Sequence, residues 1–249
     1  MGYKVILAEG ADHILGWRSP NFVYNPKTTK NIKLLLKNYR LSDDIAFRFG
    51  NKGWENYPLT AKKYADWISP IIGDTINLFI DYETFGEHQW EDTGIFEFLK
   101  HLPYETFKRK LGFQIPSELA QVHSKDELDI HNPISWADIE RDLSAWLGNK
   151  MQVSAIQRLY AMKQKVYESE DQQLIDTWKK LTTSDHFYYM CTKWFNDGDV
   201  HKYFNPYDSP YDSFIIFMNV LNDLAFRLKI DTTKKIEQAH GNANEWIKI

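Results

Sequence analysis

Cysteine is almost absent: Cys191 stands alone among 249 residues. That excludes an intrachain disulfide and a cysteine-based zinc site. Between Met190 and Thr192, in an aromatic stretch, it reads as a small buried hydrophobe. Positive charge is not in surplus either. The formal net charge is −4, whereas binding nucleic-acid phosphates calls for a basic surface, so no nucleic-acid partner is expected. Lys27, Lys30 and Lys33 read as a solvated face. No uncharged apolar run approaches the ~20 residues that span a bilayer, and no secretory leader precedes Tyr3. The expectation is a cytoplasmic protein without a membrane partner. Gly50-Asn51-Lys52-Gly53 lacks the spacing of a phosphate loop, and neither a dinucleotide fingerprint nor a Gly-x-Ser-x-Gly elbow occurs. Internal repeats and low-complexity tracts are missing as well.

What is present in quantity is aromatic. Hydrophobic content of 43% and charged content of 26% are ordinary for a globular chain of this size. Phe, Trp and Tyr make up 15%, with nine Trp, more flat rings than a core requires. Most of them pack the interior on any reading. The excess suits a carbohydrate cleft, because rings with a polar tip match the apolar faces of sugars.

Chemistry concentrates between Leu78 and Trp90. The apolar run Ile76–Ile80 stops at Asp81, and Asp81, Glu83, Glu87, His88, Tyr82, Phe85 and Trp90 follow within ten residues. The run reads as a buried strand with Asp81 at its C-terminal end, where α/β barrels keep their active sites. If the extended backbone persists, Asp81 and Glu83 share a face. A carboxyl held against rings loses hydration, which raises its pKa and suits it to proton donation. The plainer alternative is a strand end with solvated acids.

Val5–Ala8 and Ile32–Leu36 read as two further buried strands. Between them and Ile76–Ile80 lie helix-like stretches such as Thr60–Ile68, with Thr60 as cap and an apolar face of Ala61, Tyr64, Ala65 and Trp67. This order is that of an α/β protein with a parallel sheet, although three strands cannot close a barrel. Beyond Trp90 we expect a helix over Thr93–His101 stopped by Pro103, a short capped helix after Gln114, and a surface loop over His123–Pro133. Helices are expected over Trp136–Leu147, Gln152–Tyr167, Gln172–Leu181 and Tyr211–Leu228, with a break at Gly198–Pro210. The divisions are residues 1–133 as a partial barrel, 134–230 as a helical bundle completing the cleft, and 231–249 as a polar tail.

Other polar clusters read two ways. Asp185-His186, followed by Phe187, Tyr188 and Tyr189, offers donors and acceptors for sugar hydroxyls, or else a helix cap with a satisfied histidine. Glu9–His13 follows the first strand and either shapes the cleft or forms a turn and cap. Trp17-Arg18 either binds sugar or packs its loop. Asp197-Gly198-Asp199 with His201 lacks the further ligands of a calcium or zinc site and reads as a tight turn. No metal and no cofactor is expected.

Phe79–Gln89 resembles the signature of glycoside hydrolase family 57, the α-amylase and 4-α-glucanotransferase group. Ser184–Met190 resembles the last signature of that family's α-amylase branch. Similarity runs from Gly2-Tyr3-Lys4 to about Leu224 and includes Arg18–Asn21, Tyr39–Ile45 and Tyr57–Thr60. The resemblance implies the later half of a (β/α)7-type barrel followed by an α-helical bundle. It implies a retaining attack on α-1,4-glucans such as starch or glycogen, with Asp81 as acid/base. Glu83, His88, Trp90, Asp185, His186 and Trp17 are the substrate-binding candidates. The family's N-terminal histidine motif and its nucleophile segment precede the part that resembles this chain, so a missing N-terminal half or self-association is expected. A glucan-binding fragment, half of a split enzyme, or a 4-α-glucanotransferase are the alternatives.

Overall fold

The computed structural model describes residues 2–137, 139–193 and 205–230. The chain divides into two compact units, Met1–Trp136 and Ala137–Ile249.

The first unit is α/β. Its strands are β1 (Val5–Ala8), β2 (Tyr24–Pro26), β3 (Lys33–Leu36) and β4 (Asp126–Leu128), in the order β1-β3-β2-β4. β3 lies inside the sheet. Leu34, Leu35 and Leu36 are all buried, as an uninterrupted apolar run requires of a strand covered on both faces. β1 pairs with it in parallel, Val5 opposite Lys33 through Ala8 opposite Leu36. The sheet is mixed rather than wholly parallel, because β2 runs antiparallel to β3 and parallel to β4.

Several expectations are corrected here. β1 is an edge strand, with Ile6 and Leu7 43% and 52% exposed, not a fully buried one. Ile76–Ile80 forms no regular strand. Among the described residues it touches the sheet through one parallel bridge, Asn77 to Lys37, fixed by Asn38 N–H to Asn77 O at 2.9 Å and Asn77 Nδ2 to Leu36 O at 3.0 Å. The expected surface loop His123–Pro133 contains β4, whose ladder among the described residues is with β2. Lys33 is not on a solvated face, since its ammonium reaches Ser124 Oγ at 2.6 Å. Lys27 and Lys30 are exposed as expected.

Helices of the first unit are α1 (Asp12–Leu15), α2 (Tyr39–Asp43), α3 (Ala61–Ile68), α4 (Ile95–Lys108) and α5 (Pro116–Leu119). α3 begins as read, with Thr60 Oγ1 accepting from Lys63 N–H at 3.2 Å. Its buried Tyr64 meets Phe98 of α4 edge to face. α4 continues through Pro103 instead of stopping there. Its far end is clamped by Arg109, which binds Glu105 and Asp66, and this anchoring offsets the missing proline N–H.

Among the described residues the second unit is helical: α6 (Ser144–Leu147), α7 (Lys150–Ala161), α8 (Lys163–Glu168), α9 (Gln172–Leu181), α10 (Ser184–Tyr188) and α11 (Pro210–Arg227). Leu159, Val166, Trp178, Met190 and Leu221 belong to their common core. Completely buried Gln152 donates to Ala145 O and Phe187 O at 2.7 and 2.9 Å, tying α7 to α6 and α10. The expected Trp136–Leu147 helix shrinks to its last turn. The Asp197–His201 turn, and the 231–249 tail, lie outside the described residues.

Candidate active site

The first unit gathers ionisable groups where parallel backbone runs end. Glu9 follows β1, Lys37 follows β3, and Asp81 lies four residues beyond the bridge at Asn77. Close packing holds the first two ends together. A Cβ on Gly10 would stand 2.2 Å from the Lys37 carbonyl oxygen, so only glycine lets the chain pass there.

The loop after Asp81 is built by its own hydrogen bonds. Asp81 is extended and a 3₁₀ turn, Tyr82–Thr84, starts immediately after it. The alternation that would align Asp81 with Glu83 is therefore broken. Glu83 still lies close enough for its charge to act on Asp81, and its carbonyl closes the loop, accepting from Glu87 and His88 N–H at 3.1 and 3.0 Å. Gly86 supplies a positive φ of 117°. Gln89, buried, donates to Ala46 O at 3.0 Å and pins the loop to the body of the unit.

Asp81 is solvent-exposed as a residue, yet its carboxyl is shifted upward. Partial burial is the largest cause and the negative charge of Glu83 adds to it, while Lys37 and His88 oppose it. The direction is that of a proton donor. Tyr82 is 93% exposed and Trp90 64%, so the loop that follows the carboxyl displays two largely exposed rings.

Lys37 was not singled out in the sequence. Its side chain is 8% exposed, and its ammonium stands 3.9 Å from Glu9 and 3.8 Å from Asp43 and 5.1 Å from the Trp136 ring centre. The signal was available: like Asp81, it is an ionisable residue directly after an apolar run.

The other candidates are less concentrated. Trp17 is 94% exposed. Arg18 packs the loop, donating to Ile14 O and Leu15 O and pairing with Asp126. Asp185 and His186 lie in α10, in the second unit. His186 rests against Phe217, with ring centres 5.3 Å apart, and Asp185 shares a face with Tyr189, whose phenol burial and that carboxylate push up. The alternative reading of a side-chain cap finds no capping bond there: Thr183 occupies the cap position, and its hydroxyl donates to Lys180 O at 2.8 Å instead. Cys191 is buried. Among the described residues no three His, Cys, Asp or Glu side chains gather closely enough to hold a metal ion, and no helix is long and apolar enough to cross a membrane.

Residues 1–131 match the family model of glycosyl hydrolase family 57. A protein of Methanocaldococcus jannaschii named "Putative alpha-amylase" is 44% identical over 241 residues, covering 92% of this chain and 51% of that relative. The chain thus spans about half the length of the curated relative it matches. No solved structure matches.

Proposed function

The chain belongs to glycosyl hydrolase family 57, and from that premise we propose that it forms part of a retaining, α-amylase-like enzyme acting on α-1,4-glucans, with Asp81 as general acid and then general base. One observation carries the reading. A carboxyl raised by burial and by Glu83 stands in a loop that exposes Tyr82 and Trp90, as the donor of a proton to a sugar's leaving oxygen requires. Glu83 keeps Asp81 protonated further up the pH scale, and His88 moderates it. Trp90 offers a face for a sugar ring, and Asp185, His186 and Trp17 are further contacts under the same proposal. Placement of residues 1–133 in a (β/α)7-type barrel and of 134–230 in a bundle that completes the cleft is part of it. So is a cytoplasmic location, which suits a chain with a single cysteine.

Retention needs a second carboxylate roughly 5–5.5 Å from the first. The resemblance read from the sequence assigns that nucleophile to no residue of 1–249, and under that reading the second proposal is glucan binding without turnover by this chain alone. The test follows the product anomer by proton NMR, in a preparation where the nucleophilic carboxylate is supplied on the same or another chain. Maltooligosaccharide cleavage should release the α-anomer first. Initial release of the β-anomer overturns the retaining assignment.

A further inference from the structure

We propose that Lys37, Glu9 and Trp136 form a pocket that binds one neutral, hydroxyl-bearing ring of the substrate, adjoining the Asp81 loop. This inference rests on the glucan-acting reading and names where one ring is held.

The pocket is a cavity of about 310 Å³ walled by Leu7, Ala8, Glu9, Lys37, Phe79 and the segment Ile134–Trp136. That is near the lower limit of ligand sites, roughly 300–1,000 Å³, so it has room for a single ring and not for a chain. Phe79 is two residues before Asp81, which puts the cavity wall next to the acid.

The polar groups specify the chemistry. A buried ammonium has three donors and no acceptor. The contacts of Lys37 Nζ with Glu9 and Asp43, at 3.9 and 3.8 Å, are ion pairs too long for hydrogen bonds. Among the described residues its ammonium makes no hydrogen bond. A group so buried requires oxygen acceptors, and it lines a cavity able to admit them. The ligand is not an anion, because two carboxylates already face the one ammonium. Sugar hydroxyls fit, since each accepts from Lys37 and donates to a carboxylate such as Glu9. Trp136, 48% exposed, and Phe79 supply the apolar wall that a pyranose face needs.

The experiment titrates the 249-residue chain with maltose and follows backbone amides by NMR, alongside Lys37→Met and Trp136→Leu. The expected result is perturbation at Glu9, Lys37 and Phe79. Binding should weaken about ten-fold or more in Lys37→Met, as for loss of a charge-assisted hydrogen bond, and measurably in Trp136→Leu. If Lys37→Met does not fold, the half-exposed Trp136→Leu decides. Perturbations confined to Tyr82–Trp90, with both variants binding like wild type, overturn the pocket and leave the glucan reading standing. No perturbation anywhere overturns both. Saturation by inorganic phosphate in place of maltose overturns the neutral-ligand assignment.

Discussion

At the scale of single residues, the site combines opposed charges around one carboxyl. Burial and Glu83 push Asp81 up, and Lys37 and His88 pull it down. Because the folded state holds the proton more tightly than the unfolded chain, stability falls as pH rises from the ordinary aspartate range through the raised value. Ionising Asp81 therefore costs stability, and Asp81→Asn should raise the melting temperature at pH 7, by about 1–2 °C for a chain of this size. The gain should vanish near pH 3. A variant that melts lower than wild type at pH 7 would contradict the electrostatic account. Asp81 was legible in the sequence because an acid ended an apolar run among rings. Lys37 also ends an apolar run, but lysines are ordinarily solvated, and its pairing with Glu9 joins residues distant in sequence.

Elements differ in how far local sequence specifies them. α3 was legible through its capping Thr60 and an apolar face repeating at helical spacing, and α9 occupies the expected Gln172–Leu181. β4 was not legible. It is three residues long, begins with two acids, and among the described residues pairs with β2, far earlier in the chain. Ile76–Ile80 has strand composition, but one bridge at Asn77 is all the pairing it makes among the described residues. Pro103 misled for a related reason: tertiary anchoring of Arg109 to Asp66 outweighs a local breaker. The junction of β1 with the end of β3 gives a test at this scale. Gly10→Ala drives a methyl into the Lys37 carbonyl, and overpacking of this kind costs about 1–3 kcal/mol. Urea denaturation should show that loss, together with weaker maltose binding. An unchanged midpoint would mean the two strand ends are not held against each other.

For the whole molecule, composition bounded the class and the motifs supplied the family, while the mixed sheet order depends on pairings far apart in sequence. β1 leaves Ile6 and Leu7 exposed on an edge strand, an arrangement that invites further pairing. Sedimentation of residues 1–249 should show concentration-dependent association that Ile6→Lys suppresses; a stable monomer at all concentrations would count against it. The assignment of Asp81 is tested most directly by chemical rescue in an active preparation. Asp81→Ala should nearly abolish cleavage of ordinary glucans, whose leaving group needs a proton, and should spare the first step on an activated glycosyl fluoride, whose leaving group departs unaided. The glycosyl-enzyme then accumulates, and azide, which needs no deprotonation, should restore turnover as glycosyl azide. If azide leaves Asp81→Ala inactive and rescues Glu83→Gln, the acid/base is Glu83 and the account is contradicted.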